Sequence, residues 1–163
     1  MAERWFLKID GIAGESTDAN HKDEIDVQSW SWGVSRSGSS GSGGGSGAGK
    51  ATFDDFHFVS RISRASPALF LACASGSHLK SATLSGVRGA GKVKGGGAEF
   101  LQMKMTDVII SSLTSGDAPD AGPAEQISFT YGKVELTYVP QSSTGSPQPP
   151  VTTGWDVKQN KKI

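Results

Sequence analysis

The sequence is short of cysteine, of long apolar runs and of apolar residues in general. Cys73 is the one cysteine among 163 residues, so the chain cannot form an internal disulfide, which fits folding in a reducing compartment. No stretch approaches the ~18 consecutive apolar residues that a membrane-spanning helix needs. Residues Met1–Trp5 contain no apolar segment of the kind found in secretory signals. We therefore expect a chain that is synthesised in the cytoplasm and does not insert into a membrane.

The sequence also lacks net charge, because 16 Lys and Arg residues balance 16 Asp and Glu residues. A nucleic-acid groove needs a basic excess that releases counterions from phosphates, and a membrane-binding patch needs a basic cluster. The balance therefore argues against nucleic-acid and membrane partners, and it leaves self-association unopposed by long-range repulsion. The length predicts a single domain over residues 1–163 with a sizeable core.

Glycine is abundant, with 22 residues, but seven of these lie between Gly38 and Gly49. They belong to an extended glycine- and serine-rich loop over residues 35–50. This loop has little to bury, so it cannot fold by itself. We expect it to be either a disordered insertion or an arm that orders against a neighbouring copy, since glycine permits close backbone approach.

Alternation of apolar and polar residues predicts a mainly β protein with six or more strands. In the second strand the alternation places Ile25, Val27 and Ser31 on one face, and Trp30 and Trp32 on the other. Rings of that size suit a barrel core or a subunit interface. A stacking platform for a sugar or a base is the alternative.

Two apolar runs change face part-way along, one between Met105 and Val108 and the other between Tyr131 and Val134. A change of face within a strand indicates an extra residue, and Gly132 is the natural position for such a bulge. Two changes of this kind indicate sharply bent strands, as closure of a barrel requires.

One short helix is predicted. Ser66 is the expected N-cap, Pro67 occupies the first helical position, and Gly76 suits a left-handed C-cap. We expect the helix to pack on the sheet through its apolar side chains, which are Leu69, Phe70, Ala72 and Cys73. After Pro140, further prolines predict an extended C-terminal tail over residues 140–163.

The candidate chemical motifs are weak. Gly44–Lys50 has the spacing of a phosphate-binding loop, but Ala51 stands where a hydroxyl should hold magnesium. A helix should follow such a loop, whereas Thr52–Ser60 alternates as a strand. His21 and Glu24 lack the spacing of a metal site, and a solvated loop is the preferred interpretation. We therefore predict no catalytic residue, no metal and no cofactor.

Several short phrases stand in order along the chain. They are Phe6–Ile12, Gly14–Ser16, His21–Val27, Ser29–Gly33, Gly47–Lys50, Ser66–Leu69, Leu71–Cys73 with Gly76, and Gly154–Asp156. Together they resemble the Hcp (haemolysin co-regulated protein) family, whose members are tube subunits of the bacterial type VI secretion system. The resemblance covers the chain from Phe6 to about Asn160.

The resemblance implies a two-sheet β-barrel with one flanking helix, and a structural subunit without enzyme activity. It further implies a homohexamer whose rings stack into a tube, with a VgrG-type spike, a contractile sheath and effector proteins carried in the lumen as partners. Export would follow sheath contraction and need no signal peptide.

The resemblance also implies roles for particular residues. In the family the loop after the second strand reaches the neighbouring ring. The matching residues are Ser35, Gly38, Gly43, Gly44, Gly45, Gly47, Gly49 and Lys50. Ser31 is the expected lumen-facing position, and Trp30 and Trp32 are expected to be structural or interface aromatics.

Two alternatives from other classes remain open at this point. A barrel that binds a small ligand or a sugar through Trp30 and Trp32 predicts a monomer with an apolar pocket. A phosphate-handling enzyme that uses the loop ending at Lys50 predicts nucleotide binding that is lost on Lys50→Ala.

Overall fold

The structure of the chain is a computed structural model that describes residues 3–37, 49–89, 98–120 and 122–163. Strands dominate these residues, and one helix accompanies them. The elements are β1 Arg4–Ile9, β2 Ile25–Ser31, β3 Val34–Arg36, β4 Ala51–Phe53, β5 Phe56–Arg61, α1 Ala65–Ser75, β6 His78–Arg88, β7 Ala98–Ala118, β8 Gly122–Thr130, β9 Lys133–Tyr138, β10 Val151–Asp156 and β11 Lys161–Lys162.

Six of the strands close into a barrel. β1 pairs with β2 and β6, β2 with β5, and β5 with β8, while β7 pairs with both β8 and β6. β9, β10 and β11 continue the same sheet outward from β7, and β3 with β4 forms a separate two-stranded ribbon. Closure leaves the six barrel strands without free edges. The predicted mainly β barrel with one flanking helix is confirmed.

The core fills the barrel with side chains from alternate strand positions. Phe56, Phe58 and Phe129 are almost fully buried, and the rings of Phe56 and Phe129 stack with centroids 5.0 Å apart. Leu7 and Leu84 complete the same cluster from β1 and β6. Burying each such side chain contributes about 1.5–3 kcal/mol, so this cluster is the main source of stability.

The helix ends where the sequence predicts but begins earlier. Gly76 adopts the left-handed conformation with φ 65°, which confirms it as the C-cap. The prediction of Ser66 as the N-cap is wrong, because the helix begins at Ala65. Ser63 Oγ accepts a hydrogen bond from the Ala65 N–H (3.2 Å), and Ser66 Oγ accepts one from the Ser63 N–H (2.9 Å). The two serines therefore share the capping of the first turn.

The buried face of the helix is narrower than predicted. Ala65, Leu69 and Ala72 are buried against the barrel at helical spacing, and Cys73 is half-buried. Phe70 is 65% exposed, so its predicted place on the sheet-facing side is wrong. Phe70 follows Leu69 directly and therefore points about 100° further round the helix axis.

The predicted changes of face occur, but a bulge at Gly132 does not cause them. Thr106 pairs with Lys133 and Ile109 pairs with Thr130, so two residues lie between these pairs both in β7 and in the segment that joins β8 to β9. The prediction of an extra residue is therefore wrong. Both segments instead bend at the same place. There the Gly132 N–H donates to the Thr106 carbonyl (2.8 Å), and Asp107, the residue after Thr106, has φ 59°.

The predicted strand Thr52–Ser60 divides into β4 and β5 at two aspartates. The Asp54 N–H donates to the Gly33 carbonyl (3.0 Å), which closes the ribbon at its base. Beyond Pro140 the chain turns and returns as β10, which pairs with β9 along its full length. No helix within the described ranges is long and apolar enough to cross a membrane.

Candidate functional surfaces

A β-bulge decides which face of β2 points into the barrel. The register with β5 shifts between Val27 and Ser29, so the face that is buried changes at this point. The predicted common face of Ile25, Val27 and Ser31 is therefore wrong, and Trp30 takes the inward position instead. Ser31 is exposed on the outer side of the barrel.

Trp30 is packed among other aromatic rings. Its ring lies edge-on to Trp5 with centroids 5.1 Å apart, and it stacks on Phe56 at 6.0 Å with an interplanar angle of 9°. Edge-on and offset stacked contacts of this kind stabilise a core beyond the area that they bury. Trp30 thus packs within an aromatic cluster, and the sugar-platform alternative loses one of its two rings.

Trp32 anchors the ribbon to the barrel through a partly buried chain of hydrogen bonds. Its Nε1–H donates to the Tyr131 hydroxyl, which in turn donates to the Asp54 carbonyl (2.8 Å). Tyr131 is 8% exposed, and burial raises the pKa of its hydroxyl to about 12. The phenol therefore remains a neutral donor and acceptor at physiological pH.

The first candidate surface is the outer side of the barrel around Ser31, which we call the outer wall. Neighbouring strands place Ser31 opposite His57, and Gln126 opposite both Val59 and Thr114. These side chains surround a shallow hollow of about 380 Å³. The wall is defined by the outward side chains Ser29, Ser31, His57, Val59, Ser112, Thr114 and Gln126.

The outward side chains of the wall are mostly polar and uncharged, and Val59 is the apolar one among them. Among the residues that line its hollow, only His57 can carry a charge, and none is an acid, a lysine or an arginine. Ser128, beneath the wall, is buried and bonded to Ser111 (3.2 Å) and Ser112, and Ser111 Oγ donates to Asp55 (2.7 Å). Exposed hydroxyl and amide groups of this kind keep their water and present no anchor for one particular ligand.

The second candidate surface is a groove between the ribbon and the outer strands, which we call the aromatic groove. It has a volume of about 410 Å³. Its lining residues are Trp32, Val34, Ser35, Arg36, Ala51, Phe53, Val134, Leu136, Thr153, Gly154 and Trp155. Trp32 and Phe53 lie 6.3 Å apart by ring centroid, and the Trp155 Nε1 is buried without a hydrogen-bond partner. The groove is mainly apolar, and sequence reasoning did not predict it.

The structure describes only the two ends of the predicted loop over residues 35–50. Ser35 lies in β3 and pairs with Thr52, so the loop is shorter at this end than predicted. The Gly49 carbonyl accepts a hydrogen bond from the Arg36 Nε (2.8 Å), and Lys50 directly precedes β4. The other predicted stacking residues lie outside the described residues; they are Gly38, Gly43, Gly44, Gly45 and Gly47.

His21 is buried, which corrects the interpretation of its segment as a solvated loop. Its ring stacks on Phe6 at 4.7 Å, and its Nδ1 lies 3.1 Å from the Glu24 carboxylate. Burial raises the pKa of Glu24, against the opposing effect of His21. No group of three His, Cys, Asp or Glu residues in the described part of the chain is placed to hold a metal.

The chain is similar to several known proteins. The family described as "Type VI secretion system effector, Hcp" matches residues 6–138. Protein hcp1 of Pseudomonas aeruginosa is 41% identical over 162 residues, which is 98% of each chain. A solved type six secretion system protein superposes with a TM-score of 0.90 at 31% identity, covering 99% of this chain and all of the other.

A second solved structure gives the same result. Hcp1 from Salmonella typhimurium superposes with a TM-score of 0.79 at 34% identity, and each chain is covered completely. The barrel, the flanking helix and the ribbon are therefore parts of a shared architecture. The family match spans most of the sequence, and the chain belongs to the Hcp family of type VI secretion system proteins.

Proposed function

We propose that the chain is a structural subunit of the type VI secretion inner tube, and that six copies close into a ring with the outer wall facing its lumen. One observation carries this proposal, namely the uncharged polar character of the wall around Ser31 and Gln126. A transport channel must let many different proteins pass. Hydrated neutral groups suit that task because they neither repel a charged cargo nor bind an apolar one tightly.

The stacking of rings is assigned to the loop over residues 35–50. Support comes from its base, where the paired strands β3 and β4 form a two-stranded ribbon separate from the barrel sheet. A paired ribbon can present a glycine-rich tip to a neighbouring molecule, and glycine lets the two backbones approach closely. Copies that repeat along an axis make an open-ended tube.

The other partners follow from the same proposal. A VgrG-type spike caps the tube, a contractile sheath surrounds it, and effector proteins occupy the lumen. Contraction of the sheath exports the tube, so the route from the cytoplasm needs no signal peptide. The subunit acts through its geometry, without enzymatic turnover.

The first experiment examines purified protein by negative-stain microscopy and by sedimentation over a concentration series. We expect rings of six copies. A species that remains monomeric at high micromolar concentration would overturn the proposed function.

A second experiment deletes residues 38–47. We expect the midpoint of thermal unfolding and single rings to be retained, because β3 and β4 still pair, while stacks of rings are lost. Stacks that persist unchanged would contradict the role of the loop and leave the ring assignment intact.

A further inference from the structure

The side of α1 that points away from the barrel is apolar. Pro67, Phe70, Leu71 and Ala74 recur at the spacing that places residues on one helix face, and all four are exposed. Phe70 is 65% exposed and Leu71 is 67% exposed. The helix Ala65–Ser75 contains no charged residue. We call these four residues the helix patch.

The helix patch is a contiguous apolar area on the exposed side of the helix. Two adjacent large apolar side chains at the middle of a helix expose well over 100 Å² of apolar surface, since a single aromatic side chain offers about 150–250 Å². Apolar patches that are contiguous and rimmed by polar residues mark protein–protein contacts. The patch is convex because it lies on a helix.

The aromatic groove has the complementary shape and chemistry. It is concave and lined by Trp32, Phe53 and Leu136, with Val34 52% exposed at its rim. Arg36 is the one charged residue of its lining, and the Arg36 Nε is already bonded to the Gly49 carbonyl. The helix patch carries no charge, and the exposed Arg36 guanidinium can remain in water when an apolar surface docks.

The proposed tube limits how these two surfaces can be covered. Copies that repeat head to tail need two different patches on each chain, whereas a patch that meets itself makes a two-fold dimer and ends the assembly. A contact between two helix patches would be of the second kind. We infer that the helix patch of one copy docks in the aromatic groove of the next copy around the ring. This inference rests on the proposed function.

Crosslinking tests the contact directly. In a Cys73→Ala background, Leu71→Cys is combined with Val34→Cys, and the protein is treated with a short bismaleimide. We expect a ladder of covalent multimers from the double variant, because each copy offers both partners. Each single variant should give no ladder, since it supplies only one side of the contact.

The matched control replaces Val34→Cys by Val151→Cys. Val151 is an exposed strand valine like Val34, at 65% exposure, but it does not line the groove. Leu71→Cys with Val151→Cys should stay uncrosslinked. The inference is overturned if this control pair forms the ladder, if Leu71→Cys alone gives a covalent dimer, or if the double variant gives no multimers.

The crosslinking experiment distinguishes failure of the docking inference from failure of the proposed function. Each cysteine variant is first checked for rings by microscopy. Rings without the Leu71–Val34 crosslink would overturn the docking inference while the tube function stands. A wild-type protein that never assembles would instead overturn the proposed function itself.

Discussion

The outer wall and the aromatic groove differ in what they offer to water. The wall lies on the barrel strands, whereas the groove lies between the separate β3–β4 ribbon and the outer strands β9 and β10. The wall exposes Ser31, Thr114 and Gln126, whereas the groove exposes the faces of Trp32 and Phe53. One subunit thus presents a surface that retains water beside one that gains free energy by losing it.

This difference matters for a subunit whose copies associate while other proteins pass by them. Association between copies is stabilised by burying apolar surface, whereas other proteins pass freely only along a surface that has little of it. The bulge between Val27 and Ser29 keeps the two demands apart, because it turns Trp30 inward and leaves the serines of β2 outside. Without that shift of register, an indole ring would stand on the wall.

The largest effect is expected from a charge placed at the groove. Val34→Asp puts a carboxylate at the apolar rim, and docking of a neighbour would then strip it of water. We expect association to weaken by about 30-fold or more, in line with the cost of about 2–5 kcal/mol for a charge buried at an interface. Sedimentation over a concentration series measures the change.

Val151→Asp is the matched control for this substitution. It adds the same charge to an exposed valine that does not line the groove. Association should then remain close to that of the wild type. Equal weakening by both variants would mean that net charge alone controls assembly. It would contradict the assignment of association to the groove.

A smaller effect is expected from the polar chain beneath the groove. Tyr131→Phe removes the hydroxyl that accepts from Trp32 and donates to Asp54, and leaves the half-buried Trp32 Nε1–H and the carbonyl of the exposed Asp54 without this partner. We expect the free energy of unfolding to fall by about 1 kcal/mol, because water can reach both groups. Urea unfolding measures this fall, and an unchanged midpoint would show that the chain of hydrogen bonds adds little.

The same tyrosine predicts a dependence on high pH. Its pKa is about 12 in the folded chain and about 10 when unfolded, so the unfolded state releases the proton first. The stabilising effect is complete below pH 10 and is lost as pH rises towards 12, by up to about 3 kcal/mol. Tyr131→Phe should not show this loss of stability between pH 10 and pH 12. If the stability of the variant falls as steeply as that of the wild type, other titrating groups are responsible.

The sequence predicted the parts of this molecule that local rules determine. Leu7 and Ile9 alternate with polar residues in β1, and Gly76 ends the helix because the left-handed conformation favours glycine. These signals act within a few residues, so no knowledge of distant partners is needed to read them.

The features that were missed depend on distant partners. Nothing in the residues around Gln28 marks the bulge, which exists because β5 pairs with β2 in that register. The helix is apolar on every side, so its pattern could not tell the buried Leu69 from the exposed Phe70. The groove joins residues from four strands that are far apart in sequence.

The smallest effect on stability is expected at Ser31, where the wall itself can be probed. In a Cys73→Ala background, Ser31→Cys should leave unfolding and ring formation unchanged, because the side chain is exposed and small. If the wall lines a lumen, this cysteine should react with a small maleimide as readily as Val151→Cys, yet much more slowly with a maleimide on a long polyethylene glycol chain. The size dependence should disappear when dilution or Val34→Asp disperses the rings. Equal access of the long reagent to both cysteines in intact rings would place Ser31 on the outside of the ring, and the wall would then need another role.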